Sequence, residues 1–288
     1  MAAPIGETVS KSTLSRAETD RRVTTPSLDA LETTAIEACK AGGAYLRDAY
    51  RSGTTTVDAG EHDVKSSADT AAEERILAVI HDRFPDHPIE AEESGVHEGS
   101  GRCLWLVDPL DGTNNFEAGL PSFATGITVL EGPDDAALSE PVLGVVYAPV
   151  SDDLYVGRRD HGVRHDGQPV AADSELEPAA ATVVSVIGHD VKRDPEHAAV
   201  SAAIDRAIED RCKRRLESWS PTVHWGLLAR GRLDGIVCYR PDREEQLLGE
   251  LFAVESGLRT DTGDDWFVAA GNDAVFEAIR EVALEHAT

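Results

Sequence analysis

The run Trp105-Leu-Val-Asp-Pro-Leu-Asp-Gly-Thr-Asn-Asn-Phe116 constrains this chain more than any other stretch. An apolar segment from Leu104 to Val107 ends at Asp108 as a buried strand would, and Pro109 permits neither a helix interior nor a ladder donor at the next position. A strand over Cys103 to Val107 followed by a turn is therefore expected. Asp108 and Asp111 can then face one cavity with the backbone carbonyl of Leu110 between them, offering the hard oxygen donors that Mg2+ accepts. Gly112 and Thr113 follow at once, so amide donors at a helix start can receive an anionic oxygen beside a metal. Asp-Gly and Asn also build ordinary surface turns, and the neighbouring segments decide between the two readings.

Two acidic clusters precede the run. Asp63-Val-Lys-Ser-Ser-Ala-Asp69 leads into a helical pattern at Thr70-Ala-Ala-Glu-Glu-Arg-Ile-Leu77, and Ile89-Glu-Ala-Glu-Glu-Ser94 places further carboxylates at the end of a short segment. Either cluster alone would pass for a solvated acidic face. Taken in order, Asp69, Glu92-Glu93-Ser94 and Asp108-Pro-Leu-Asp-Gly-Thr113 resemble the inositol monophosphatase family, magnesium-dependent and lithium-sensitive sugar phosphatases in a superfamily with fructose-1,6-bisphosphatase. The resemblance continues through Pro121-Ser-Phe123, Pro141-Val-Leu-Gly-Val-Val-Tyr-Ala-Pro149, Gly231-Arg-Leu-Asp-Gly235, Glu255-Ser-Gly257 and Ala270-Gly-Asn-Asp273. It covers roughly residues 27 to 287. The Asp-Pro-Leu-Asp-Gly-Thr element is specific; the other segments gain weight from their order.

Composition narrows the class. At 288 residues the chain can bury a full core, in one large domain or two closely packed halves. Its formal net charge is -26, and only five of its 27 basic residues are lysine. Such a surface repels nucleic acid and acidic membranes, so neither is an expected partner. A carboxylate-rich, lysine-poor surface also reads as halophilic, suited to a salt-rich cytoplasm in which self-repulsion is screened. No stretch approaches the ~20 apolar residues that span a bilayer, and the N-terminus lacks a hydrophobic signal core, so a cytoplasmic location is expected. Cys39, Cys103, Cys212 and Cys238 form no C-x-x-C pair and read as free, mostly buried thiols. His161 and His165 fall in a Gly- and Asp-rich loop with no zinc-site spacing.

Residues 1 to 26 are polar and Ser/Thr-rich and read as a disordered or loosely attached extension. Residues 27 to 150 form an α+β half carrying the metal motifs. Ser27 can cap a helix with an apolar stripe through Leu28, Leu31, Ala35, Cys39 and Leu46, and Glu73 to Phe84 supplies a second helix. Strands at Cys103 to Val107, Ala124 to Leu130 and Leu143 to Tyr147 suggest an antiparallel sheet beneath them. Residues 151 to 288 alternate strands (Thr182 to Ile187, Gly235 to Tyr239, Trp266 to Ala269) with helices (Pro195 to Glu209, Thr222 to Ala229, Glu245 to Glu255, Asp273 to His286), the pattern of an α/β half. The resemblance implies the layered α-β-α-β-α sugar-phosphatase fold, an active site between the halves, and a homodimer.

A phosphate monoester dianion resists attack by water, and nearby carboxylates worsen the repulsion unless cations intervene. Two or three Mg2+ ions would neutralise the phosphoryl oxygens and acidify a bound water. Glu92, Asp108, the Leu110 carbonyl and Asp111 are assigned to the metals; in the family the glutamate and first aspartate hold the tighter site and both aspartates reach toward a second. Glu93 is either a ligand or a supporting or surface residue. Asp69 and Thr113 are assigned to orient the attacking water, with Glu92 counted among the catalytic groups. The Gly112 and Thr113 amides are assigned to the phosphate.

The later half departs from the family pattern. The family's late aspartate ligand, in Trp-Asp-x-Ala-Ala-Gly, falls on Glu245 when counted back through Gly249, and Asp242 takes its place if the loop shifts. The glutamate that contacts inositol falls on Cys238, a far weaker partner for a sugar hydroxyl. Glu217-Ser-Trp-Ser-Pro-Thr222 stands where the family has small residues, so Trp219 and Pro221 should reshape the wall facing the sugar. Arg214 and Arg215 form either a solvated basic cluster or a receptor for a second phosphate. The expected activity is Mg2+-dependent hydrolysis of a small sugar or polyol phosphate, of the fructose-1,6-bisphosphate or inositol-1-phosphate type. A non-catalytic relative that binds phosphometabolites or a protein partner is the rival.

Overall fold

The computed structural model describes residues 26–53, 57–59, 64–132 and 140–287, so the expectation for the N-terminal extension lies outside the described residues apart from Pro26. Ser27 accepts a hydrogen bond from the Ala30 amide and opens α1 (Leu28–Ser52), which Gly53 ends in the left-handed region. The apolar stripe of α1 is buried at Leu31, Ala35, Ala38, Cys39 and Leu46. After the short β1 (Val57–Ala59) and β2 (Val64–Ser66), α2 (Ser67–Arg83) packs beside α1 through Ile76, Leu77 and Ile80.

The first large sheet begins with β3 (Ile89–Ala91), β4 (Gly95–His97) and β5 (Cys103–Asp111). A five-residue helix, α3 (Thr113–Glu117), interrupts it before β6 (Ala124–Glu131) and β7 (Glu140–Ala148). The sheet then runs well past residue 150, through β8 (Asp153–Arg158), β9 (Gly162–His165) and β10 (Gln168–Val170). The strand order is β10-β9-β8-β7-β6-β5-β3-β4, antiparallel throughout except that β3 and β5 run parallel. His165 therefore ends a strand and does not sit in an open loop; its ring lies 2.6 Å from Asp153 and 3.2 Å from Arg230.

The second sheet comprises β11 (Thr182–Ile187), β12 (Arg214–Glu217), β13 (Gly235–Tyr239), β14 (Arg259–Thr262) and β15 (Trp266–Ala270), in the order β12-β11-β13-β15-β14. Between them lie α4 (Pro195–Arg211), α5 (Pro221–Ala229) and α6 (Arg243–Ser256), and α7 (Asp273–His286) closes the chain. The edge strands β12 and β14 carry too many charged residues to show as apolar runs, which is why sequence periodicity passes over them.

Three buried clusters stack these elements into layers. Leu31, Ile76 and Ile80 meet Trp105, Ile127 and Val145 on one face of the first sheet. Its other face contributes Ala124, Val146 and Tyr155 to a cluster with Trp225 and Leu228 of α5, Leu248 and Phe252 of α6, and Val184, Ile236 and Cys238 of the second sheet. Val183, Val237 and Val268, which alternate with those residues, point the opposite way toward Ile204 and Ile208 of α4 and Val275 and Ile279 of α7. The result is the expected α-β-α-β-α arrangement, with α5 and α6 forming the middle layer. Gly249 lets α6 approach α5, since a Cβ there would lie 2.0 Å from the Trp225 ring.

Candidate active site

In a regular strand, residues three apart point to opposite faces. Asp108 and Asp111 would then be separated by the sheet, yet both line one cavity. The cause is a bulge: Asp108 pairs with Gly126 and Asp111 with Ala124, so three steps on β5 are matched by two on β6. This corrects the expected turn. The strand does not stop at Val107 but carries Pro109 and Leu110 inside the bulge, where a missing ladder donor costs nothing. The Asp108 carboxylate accepts from the Leu110 amide at 3.0 Å across the same irregularity.

Asp111 is fixed from the opposite half. Its Oδ2 accepts from the Ser220 hydroxyl (2.8 Å) and the Thr222 amide (2.8 Å), and also from the Thr222 hydroxyl. Ser220 and Thr222 flank the first residue of α5, so the Ser-Pro-Thr sequence does more than substitute bulky for small residues. It anchors one carboxylate oxygen of a residue that lines the cavity. Gly112, at φ 92°, turns the chain from β5 into α3 where a side chain would press on Ser122 and Trp219.

Thr113 donates its hydroxyl to Asp69 Oδ1 or to the Leu110 carbonyl, both at 3.0 Å. Asp69 is buried in the first turn of α2. One turn further along that helix, Glu73 accepts from the Glu93 amide (2.8 Å) and the Ser94 amide (3.0 Å), holding the acidic loop after β3 over the cavity. Glu73 follows Asp69 by four residues and therefore shares its helix face, a signal the sequence carried but the motif reading did not use.

Glu92, Glu93, Asp108, Asp111 and Glu245 line one cavity of about 290 Å³, together with Asp69, Leu110, Gly112, Thr113 and Asp242. Carboxylate oxygens of Asp108, Asp111 and Glu245 can all lie within 4.8 Å of one another. Asp242, by contrast, receives the His189 amide at 3.0 Å and the His189 ring at 2.8 Å. Of the two alternatives for the late ligand, only Glu245 joins the cluster with the β5 aspartates.

The cluster is electrostatically costly as it stands. Exclusion of bulk water, then the charges of Asp69 and Glu93, push the Glu92 carboxyl up to about 7. Asp108 is raised well above its ordinary range by desolvation and by Glu92, Asp111 and Glu245, and Glu245 by desolvation and by Asp111 and Asp242. Asp111 rises to about 6 because burial outweighs the hydrogen bonds from Thr222 and Ser220. Crowded carboxylates with an oxygen-only donor set fit a hard divalent cation such as Mg2+ in both charge and chemistry.

The far wall consists of Ser185, Val186, Ile187 and His189 at the end of β11, Arg193, and Glu217, Ser218, Trp219 and Pro221. Cys238 does not take part: it faces the middle helical layer and is 1% exposed. Neither Arg214 nor Arg215 lines the cavity, so of their two readings the geometry speaks against a receptor for a second phosphate. Arg215 is held by Asp205, Glu209 and Glu217 at 3.4, 3.0 and 3.2 Å, and Arg214 lies exposed on the edge strand β12. All four cysteines are free and buried, and no helix among the described residues is long and apolar enough to cross a membrane.

A model of the inositol monophosphatase family matches residues 27–245. A fructose-1,6-bisphosphatase/inositol-1-monophosphatase of Aquifex aeolicus is 29% identical over 255 residues, covering 86% of this chain and 93% of that protein. The Nus factor SuhB of Haemophilus influenzae is 29% identical over 226 residues, covering 77% and 81% respectively. Among solved structures, the extragenic suppressor protein suhB of Bartonella henselae superposes with a TM-score of 0.77 at 22% identity, covering 88% of this chain and 98% of that one. The inositol monophosphatase of Anabaena gives 0.74 at 23% identity, covering 90% and 97%.

Proposed function

The chain belongs to the inositol monophosphatase family, and we propose that it is a Mg2+-dependent phosphatase hydrolysing a small sugar or polyol phosphate monoester. The observation that carries this reading is the meeting of Asp108, Asp111 and Glu245 beside the Thr113–Asp69 hydrogen bond. A binding protein would have little use for a hydroxyl held by a buried carboxylate next to a cation site.

In this proposal Glu92, Asp108, Asp111, the Leu110 carbonyl and Glu245 hold two or three Mg2+ ions. Bound there, Mg2+ would neutralise the phosphoryl oxygens and lower the pKa of a coordinated water. The residues of the chain do the remaining work. Thr113 accepts a hydrogen bond from the attacking water while donating its own proton to Asp69, which fixes the water's lone pair toward phosphorus. The amides of Gly112 and Thr113 receive phosphate oxygens as charge builds in the in-line displacement. Glu93, pinned through its amide by Glu73, supports the loop that presents Glu92. Water adds to phosphorus and releases a proton to solvent, the ester P–O bond breaks, and the leaving alkoxide takes a proton from solvent to depart as the alcohol.

A homodimer, a cytoplasmic setting and adaptation to salt belong to the same proposal. So does lithium sensitivity, through occupation of a weakly held second cation position. Phosphate release from inositol-1-phosphate, fructose-1,6-bisphosphate and phosphoadenosine phosphate, assayed with Mg2+ in molar KCl and then with added LiCl, tests it. Turnover of at least one substrate that EDTA abolishes and LiCl depresses against matched KCl is the expected result. Absence of turnover on all of them would favour the non-catalytic rival, a reading supported by relatives named as Nus factors.

A further inference from the structure

The turn that carries Glu92 is pushed from one side and weakly restrained on the other. Glu92, Glu93 and Ser94 join β3 to β4, with Ala91 opposite Gly95 and Gly95 at φ 75° closing the turn. The Glu92 amide reaches the Val107 carbonyl at 3.2 Å, which extends the contact of β3 with β5. On the far side β4 is three residues long and ends the sheet, so no further strand steadies the turn there. Glu92 and Glu93 share the cavity with Asp69, Asp108, Asp111 and Glu245, and like charges at close range drive the turn away from the floor.

Glu73 opposes that force through the backbone. Its Oε2 accepts from the Glu93 amide at 2.8 Å and its Oε1 from the Ser94 amide at 3.0 Å, so both oxygens grip successive residues of the turn. Peptide N–H groups carry the positive end of the peptide dipole, and a carboxylate beneath two of them attracts the same turn whose side chains its neighbours repel. Glu73 is 3% exposed, which leaves this attraction little screened. It stands four residues after Asp69 on α2, a helix packed against the first sheet through Ile76 and Ile80. One packed helix therefore sets the spacing between the Thr113–Asp69 pair and the turn bearing Glu92.

We infer that Glu73 is a positioning residue that preorganises Glu92 for a divalent cation, so that it governs cation affinity rather than the chemical step. With the turn already held in place, binding a cation does not have to order it, and affinity rises by the ordering cost avoided. This deepens the phosphatase reading above, from which it takes the assignment of Glu92 to a cation.

Calorimetric titration of the full chain with Mg2+, without substrate and in molar KCl, reads affinity apart from turnover. Glu73→Gln replaces one acceptor with an NH2 group that faces an amide donor. It should weaken Mg2+ binding by roughly tenfold and raise the Mg2+ needed for half-maximal phosphate release by a similar factor, with kcat at saturating Mg2+ within about threefold of wild type. Glu73→Asp keeps the charge but withdraws it by one methylene, and should weaken binding as well. Glu74→Gln removes the same charge from the exposed neighbouring position on α2 and should leave the affinity unchanged. Wild-type affinity in Glu73→Gln overturns the inference, and so does wild-type affinity in Glu73→Asp, which would make charge alone the cause. If Glu73→Gln does not fold, amide hydrogen exchange in the wild-type protein without Mg2+ decides: the Glu93 and Ser94 amides should be protected, and exchange at the rate of an open turn overturns the inference. A wild-type protein that binds Mg2+ but releases phosphate from no ester overturns the phosphatase reading and leaves this one standing. Failure to bind Mg2+ overturns both.

Discussion

On the floor of the cavity Asp111 is 4% exposed and one of its oxygens accepts three hydrogen bonds, whereas on the far wall Trp219 is 40% exposed and is held by a single lysine over its ring. The floor is set by the sheet register and by helix starts from both halves. The wall is made of short turns and exposed ion pairs. Buried, multiply bonded groups transmit any disturbance to their neighbours, while half-exposed pairs rearrange at small cost. On the proposed phosphatase reading, the chemistry would rest on the tightly bonded floor and the adaptable wall would face the rest of the substrate.

The strongest challenge to that division is Asp108→Asn. Removing the carboxylate common to the cation cluster should lower kcat/KM by on the order of a thousandfold, or about 4 kcal/mol of transition-state stabilisation. The Tm of this variant without Mg2+ should be no lower than that of the wild-type protein, because a crowded buried charge has been relieved. Steady-state kinetics and calorimetry on the same preparation check both statements. Full activity at saturating Mg2+ would remove Asp108 from the floor's function.

Thr222→Val probes how the later half supports the floor. It deletes one of the three donors to Asp111 Oδ2 and keeps the side-chain shape. If Asp111 holds a metal as proposed, a loss between about tenfold and a hundredfold in activity, with a raised Mg2+ requirement, is expected. A smaller change than Trp219→Ala produces would show that the wall, not the floor, is the sensitive region.

Glu245→Gln and Asp242→Asn sharpen the boundary between the two regions. The first should raise the Mg2+ concentration for half-maximal activity by on the order of tenfold, since a charged donor becomes neutral. The second breaks the His189 contact and should leave the Mg2+ titration nearly as it was. A reversed order would move the late ligand to Asp242.

The smallest effect concerns the surface that surrounds both regions. With a net charge of -26, the folded chain should gain several degrees in Tm between about 0.1 M and 2 M KCl as the Debye length shortens from ~10 Å to a few Å. A Tm that does not move would remove the argument for adaptation to salt.

How far this organisation could be read from the chain follows the same division. The floor was legible because its residues lie within short spacings: Asp108, Leu110, Asp111, Gly112 and Thr113 in one run, with Asp69 and Glu92 in motifs of recognisable order. The apolar period also located β11, β13 and α7. It could not show that a bulge restores Asp108 and Asp111 to one side, because a bulge is a property of pairing between two strands. Nor could it assign the wall. His189 meets Asp242, and Ser220 and Thr222 reach back to the floor's Asp111, only across long sequence separations, and Arg214 and Arg215 looked equally basic until β12 placed them outside the cavity. Strands β8 to β10 were missed because Gly162, Gly167 and the nearby aspartates read as loop, although here they form the left-handed corners of hairpins.

The middle helical layer has a consequence for how the molecule is made. One face of the first sheet is covered by α1 and α2, which precede it in the chain, and the other by α5 and α6, which begin at Pro221. A ribosome that has completed β10 has therefore not yet synthesised the helices that shield Val146 and Tyr155, nor the hydroxyls that secure Asp111. During that interval the nascent chain presents an uncovered apolar face, the condition under which partly made proteins self-associate. The acidic residues already translated oppose such contacts by charge repulsion, so the same acidic surface also guards the chain before the middle helical layer arrives.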